Sequence, residues 1–255
     1  MHDSSNVRTS AGKAKKIALR LLLGLLLVFL GLEAMSLLVA QRTEQQRLEV
    51  GMAGGQCETE NRVPAWLSIV AGEDFHSFMD HPEIVAVKLK GDKIADANLA
   101  RLPALPGLLK LDLQDAQVTS DGLKHIAQWR NIRTLNLGNT KVTDITPLAE
   151  LPHLESLLLN FSQVRGKHLA GLSQLKNLKE LGAGYIQVTD PDVVEIAKCT
   201  GLEQLSIAAA QLGEHGLQPL TSLSRLDTLV LKDASFNAAD LQALQAAFPN
   251  LDVVK

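Results

Sequence analysis

From residue 84 onward the chain repeats one arrangement of apolar and polar positions, L-x-x-L-x-L, and that repeat decides the expected architecture. It starts at Ile84, Leu108, Ile132, Leu154, Leu178, Leu202 and Leu226, with a shortened start at Leu251, in steps of 24, 24, 22, 24, 24, 24 and 25 residues. The fourth and sixth positions carry Val87 and Leu89, Leu111 and Leu113, Leu135 and Leu137, and Leu157 and Leu159. They continue as Leu181 and Ala183, Leu205 and Ile207, and Leu229 and Leu231. Residues two apart share one face of a strand, so each repeat predicts a short strand with its aliphatic side inward. The eleventh position is also apolar, from Ile94 and Val118 to Leu212 and Phe236. Farther on, apolar residues recur every third place, as at Leu99, Leu102 and Leu105, or Leu217, Leu220 and Leu223. That spacing predicts a short helix or 3₁₀ turn returning along the opposite side. Stacked, the repeats form an α/β solenoid with a parallel sheet on its concave face and helical returns on its convex face. The third repeat lacks two residues after Asp144, and Ile145, Leu148 and Leu151 take over its core positions.

The first 83 residues follow other patterns. Residues 1–16 form a polar, basic tail. From Leu21 to Leu32 every residue is apolar or Gly, and 34–40 is nearly so, with Glu33 the one acid. A helix over 17–40 would be about 36 Å long at 1.5 Å per residue, enough to cross a ~30 Å hydrocarbon layer. This predicts a transmembrane signal-anchor helix. The competing reading is a cleaved signal peptide, but cleavage after Ala40 would place Leu38 where a small residue is expected. Arg8, Lys13, Lys15, Lys16 and Arg20 precede the run against Arg42 and Arg47 after it. The positive-inside rule then makes residues 1–16 a cytoplasmic tail and places the repeats outside the cytoplasm. Residues 41–63 are polar and Gly-containing and read as a linker. Residues 64–83, with Pro64, Trp66, Leu67 and Phe75, read as an amphipathic cap over the open first repeat, and 84–255 as the repeats.

Val142-Thr143-Asp144 and Val188-Thr189-Asp190 resemble the leucine-rich-repeat proteins abundant in planctomycete-type bacteria. Val63-Pro64-Ala65-Trp66-Leu67 with Gly72-Glu73-Asp74-Phe75 is similar to the segment that precedes the repeats in their membrane-anchored members. The resemblance covers 63–255. It implies a leucine-rich-repeat solenoid serving as a scaffold for protein contacts, with no cofactor and no chemistry to carry over.

Composition narrows the function classes. A formal charge of −3 opposes general nucleic-acid binding, and aromatics at 4% leave the core to aliphatic side chains. Two cysteines, Cys57 and Cys199, are too few for a disulfide framework. Cys199 stands where other repeats have Leu or Trp and reads as a small buried hydrophobe. No nucleophile elbow, phosphate loop or zinc-protease motif occurs, so no enzyme is expected. His76 and His81 lie among Asp74 and Asp80, but their spacing matches no zinc pattern. Asp96, Asp144, Asp190 and Glu214 share one repeat position. They read as helix caps, with a Ca²⁺-binding carboxylate ladder as the alternative.

Positions three, five, seven and eight of each repeat should face away from the core. In the early repeats they are charged, with Lys88, Lys110 and Asp112. In the fourth and fifth, Leu158 precedes Phe161 and Tyr185, which share the eighth position of adjacent repeats, with Gly182 and Gly184 expected to leave the adjacent floor bare and accessible. A solvent-facing aromatic pair is typical of a binding patch for a protein or peptide partner. The alternative is that Phe161 tucks into the core. The preferred reading is a single-pass, membrane-tethered scaffold that presents its concave face to such a partner. A self-associating structural envelope component is the alternative, suggested by the strand-like Leu251 to Lys255.

Overall fold

The computed structural model describes residues 5–61 and 82–255. The chain divides into two compact units, one of residues 1–45 and 60–83, the other of 46–59 and 84–255.

The second unit carries the repeats. Among the described residues, nine strands form one sheet in simple sequence order. They are β1 (Gln56–Asn61), β2 (Pro82–Lys88), β3 (Lys110–Asp112), β4 (Thr134–Asn136), β5 (Ser156–Leu158), β6 (Glu180–Gly182), β7 (Gln204–Ser206), β8 (Thr228–Val230) and β9 (Asp252–Val254). From β2 to β9 every pairing is parallel, and equivalent repeat positions face each other, as in Leu111↔Leu135 and Leu157↔Leu181. The returns are short helices α2 (Asp96–Ala100), α3 (Leu123–Ile126), α4 (Asp190–Ile196) and α5 (Ala238–Ala247), alternating with 3₁₀ turns at Thr146–Glu150, Gly166–Gln174 and Gln218–Ser222. Pro147 and Pro219 sit in the first turn of two of these, where a missing N–H costs nothing.

The core follows the repeat positions. Leu111, Leu113, Leu135, Leu137, Leu157, Leu159 and Leu181 are all at most 1% exposed, as are Val118, Val142, Val164 and Val188 of the eleventh column. In the short third repeat, Ile145, Leu148 and Leu151 are buried as the pattern requires. Cys199 is buried with Sγ 3.4 Å from the Leu172 carbonyl, and desolvation pushes its thiol pKa up to about 11. Both cysteines are free.

The column of acids works differently from the expected caps. Asp96 reaches into the next repeat, where Oδ1 accepts from the Thr119 N–H at 2.9 Å and Oδ2 from the Thr119 hydroxyl at 2.6 Å. Asp190 Oδ1 accepts from the Gly213 N–H at 2.9 Å, again one repeat on. Ser120 Oγ does the same for the N–H groups of Thr143 and Asp144. These side chains strap neighbouring repeats together. Asp144 alone behaves as expected, accepting from the N–H and hydroxyl of Thr146 within its own turn.

The start of the solenoid differs from the expected linker. The helix α1 (Ser5–Met52) continues through residues 46–52, and β1 follows after a turn at Gly54 and Gly55. Gly54 has φ +86°, a backbone state that favours glycine, and a Cβ on Gly55 would press on Val50 and Leu89 at 3.0 Å. Val50 and Ala53 are buried against the first repeat, the Asn98 amide donates to the Ala53 carbonyl, and the Gln46 amide donates to the Ala104 carbonyl. Residues 46–59 thus cover the first repeat. The cap expected over 64–83 lies outside the described residues except for its last two, as do His76 and His81.

In the first unit, α1 exposes Leu22, Leu23, Leu26, Leu27, Leu30, Leu37 and Leu38. At ~100° per residue these side chains cover nearly half of the helix circumference. Among the described residues no helix is long and apolar enough to cross a membrane. The side chains of Leu21, Leu25, Val28, Phe29 and Leu32, which complete the apolar run, lie outside the described set, so the span expected over 17–40 does too in part.

Candidate functional site

Each repeat leaves its strand through the same left-handed residue. The eighth position has positive φ throughout: Gly91 (99°), Asp115 (63°), Asn139 (52°), Phe161 (60°), Tyr185 (57°), Ala209 (60°) and Asp233 (57°). Its N–H still extends the sheet, as when Phe161 donates to the Gly184 carbonyl and Tyr185 to that of Ala208. The next N–H folds back on the sixth position, as when Ser162 donates to Leu159 and Ala210 to Ile207. A turn of this kind needs positive φ at its third residue, which Gly, Asn and Asp adopt at low cost. Phe161 and Tyr185 hold the same conformation against the steric clash of their Cβ atoms, at roughly 1–2 kcal/mol each.

What they form is an exposed stack. Their ring centroids lie 4.6 Å apart with planes 4° from parallel, and they are 56% and 39% exposed. The Tyr185 hydroxyl donates to Asp233 Oδ2 at 2.8 Å, two repeats along the column, and this bond raises its pKa. Two strand spacings are ~9.6 Å. The Tyr185 and Asp233 side chains together bridge the intervening repeat, whose eighth position holds the small Ala209. Farther back in the same column, the Asn139 amide donates to Asp115 Oδ1 at 2.9 Å. The rings sit on the rim where strands exit, outside the core.

Leu158 is half-buried on the concave face beside this rim and, with Phe161, lines a hollow of about 530 Å³ that also includes Asn136, Asn139 and Asn160. The floor next to it differs from expectation. Gly182 and Gly184 are buried, because Leu158 and Asn160 lean over them, and a Cβ on either would meet Asn160 at about 3 Å. Asn160 Oδ1 accepts from the Gly184 N–H at 2.8 Å, so these glycines let the asparagine tie two repeats together.

Lys88, Lys110 and Asp112 lie together on β2 and β3, two strands from Leu158, and form a separate charged end. It is largely neutralised internally. Lys88 bonds Glu58 at 2.6 Å, lowering the Glu58 pKa and raising its own, and Lys90 bonds Asp112 at 2.6 Å. On the strand-entry side, Glu155 bonds both Lys179 and Arg133, and its pKa falls, chiefly through the Lys179 hydrogen bond.

A column of glutamines, which the apolar repeat does not reveal, lies on the same rim. Gln163, Gln187 and Gln211 occupy the tenth position of three successive repeats and are all exposed. The N–H groups of Gln163 and Gln211 each donate to the eleventh-position carbonyl one repeat back, which fixes them in register. They line a groove of about 760 Å³ on the exit rim, together with Arg165, Tyr185 and Ala209. Among the described residues no cluster of three metal-ligating side chains occurs.

Comparison with solved structures decides the architecture. An internalin of Listeria monocytogenes (inlF) superposes with a TM-score of 0.55 at 24% identity, over 67% of this chain and 47% of its own. The internalin C2 of that species gives 0.51 at 27% identity, over 68% and 80%, respectively. A leucine-rich-repeat protein of Leptospira interrogans gives 0.52 at 21% identity, over 62% and 39%. This chain has the leucine-rich-repeat fold. It spans about half the length of the first internalin and less of the Leptospira protein. No protein-family model and no curated protein matches it. In leucine-rich-repeat terms, the aromatic pair interrupts a column otherwise filled mainly by turn-forming residues.

Proposed function

We propose that the chain is a membrane-tethered leucine-rich-repeat scaffold that holds a protein or peptide partner on its concave face and the adjoining exit rim, through Leu158, Phe161 and Tyr185. The carrying observation is the exposed Phe161–Tyr185 stack, kept at positive φ where Asn or Gly would be cheaper. Backbone strain that stability does not require points to a selected surface, and rigid aromatic anchors are what interfaces use. Tethering rests on the apolar run 17–40, whose exposed leucines find no protein surface among the described residues. The basic residues before it orient the repeats away from the cytoplasm. The narrower kinship with anchored planctomycete-type proteins rests on the two Val-Thr-Asp motifs.

The test compares partner capture by the full chain and by a Phe161→Asn/Tyr185→Asn variant, with oligomeric state measured for both. A heterologous band lost in the variant supports the reading. Retention of every band by the folded variant removes these residues from the site. Stable self-association lost in the variant instead assigns the surface to a second copy of the chain.

A further inference from the structure

We infer that the exit-rim groove binds a proline-rich segment in the polyproline II conformation, lying along the stack of repeats. This deepens the reading of the chain as a scaffold for a protein or peptide partner and rests on it.

Three features of the groove select this ligand. The first is spacing. Gln163, Gln187 and Gln211 stand one repeat apart, so the outer pair is separated by two strand spacings, ~9.6 Å. Three residues of polyproline II advance ~9.3 Å. One turn of such a segment therefore presents equivalent carbonyls to the first and third glutamines. A β-strand, at ~3.3 Å per residue and alternating faces, repeats every ~6.6 Å and falls out of step.

The second feature is hydrogen-bonding chemistry. Proline has no N–H, and polyproline II makes no internal hydrogen bonds, so its backbone offers carbonyl acceptors that need outside donors. The carboxamides of Gln163 and Gln211 have no partner among the described residues, and both carry NH₂ donors into the groove. Gln187, between them, is held by Arg165, whose guanidinium donates to its Oε1 at 3.5 Å.

The third feature is the wall and its charge. Tyr185 lines the groove, and its ring, stacked on Phe161 and tied to Asp233, provides an apolar wall for pyrrolidine rings. Among the described residues lining the groove, Arg165 carries the one formal charge. An uncharged segment with an acidic residue at the end nearest Arg165 complements that arrangement. Aromatic-lined grooves that exploit the preformed polyproline helix are a general mode of peptide recognition.

The experiment titrates the full chain in detergent micelles with fluorescently labelled decaproline, followed by anisotropy. Empty micelles serve as the blank, and a thermal melt checks each variant. Gln163→Ala/Gln211→Ala changes exposed side chains only and should fold normally. It and Phe161→Asn/Tyr185→Asn should each weaken binding by about tenfold or more, while Asp112→Asn at the charged end leaves it unchanged. Equal binding by wild type and both variants overturns the inference. So does absence of decaproline binding, and if partner capture still depends on Phe161 and Tyr185 in that case, the broader scaffold reading survives alone. Displacement of decaproline by a neutral oligosaccharide at comparable concentration overturns it in favour of a glycan.

Discussion

The Tyr185 hydroxyl donates to Asp233 Oδ2 at 2.8 Å across the intervening Ala209. The bond joins the eighth positions of the fifth and seventh repeats and fixes one edge of the aromatic stack. Tyr185 is also the single tyrosine of the chain, so its titration is directly visible as tyrosinate absorbance. Because the neutral phenol is the donor, the folded pKa lies above the ordinary value of about 10. The contact is fully present below that value and is lost as pH rises through the raised one. Asp233→Ala should move the absorbance midpoint down towards the unfolded value. An unchanged midpoint would show that the carboxylate does not hold the ring.

Replacing the aromatics should cost little stability. Phe161→Asn and Tyr185→Asn remove a stack contributing about 0.5–1.5 kcal/mol, but they also relieve left-handed strain of roughly 1–2 kcal/mol per residue. Urea midpoints should stay level or rise. A fall of more than about 2 kcal/mol would mean that the rings belong to the core.

Core truncations should behave oppositely. Leu157 and Leu181 face each other across adjacent strands and are at most 1% exposed. Either one changed to Ala should lose about 2–5 kcal/mol in denaturant unfolding, according to how far the cavity collapses.

The inter-repeat straps make a separate prediction. Asp96→Ala breaks two bonds from Thr119 and should cost about 1.5–3 kcal/mol, as charge-assisted bonds do. Asp144→Ala removes a local cap and should cost about 0.5–2 kcal/mol. Both Asp96 oxygens are already engaged by Thr119, so Ca²⁺ and chelators should leave the melting temperature of the wild type unmoved. A Ca²⁺-dependent rise lost in Asp96→Ala would restore the ladder alternative.

The proposed tether is tested by topology. Protease added to spheroplasts should digest the repeats and spare a tag placed before residue 16. Complete protection of the repeats would reverse the orientation drawn from the basic residues.

The repeat frame was legible because a buried position in one repeat is buried in the next, so a single alignment located every strand from β2 to β9. The left-handed turn was also written in the sequence, in the column Gly91, Asp115, Asn139 and Asp233, but Phe161 and Tyr185 in that column read as a patch without revealing their strain. Gly182 and Gly184 misled, since a missing side chain says nothing of the neighbours that lean over it. The cover formed by 46–59 left no periodic trace, because Val50 and Ala53 are buried while the apolar Leu48 and Met52 beside them are exposed. The glutamine column was visible, yet an exposed amide has no meaning until three of them are placed beside one groove.

The third repeat, two residues shorter than its neighbours, keeps its strand in full register with both sides, Lys110↔Thr134 and Thr134↔Ser156. Its shortening falls after the strand, on the convex return that runs through the 3₁₀ turn Thr146–Glu150. The two faces of this molecule are therefore under separate geometric constraints. The convex side can lose two residues without moving the strand beside it, whereas the concave face, locked in register, can change only by substitution, one rung at a time.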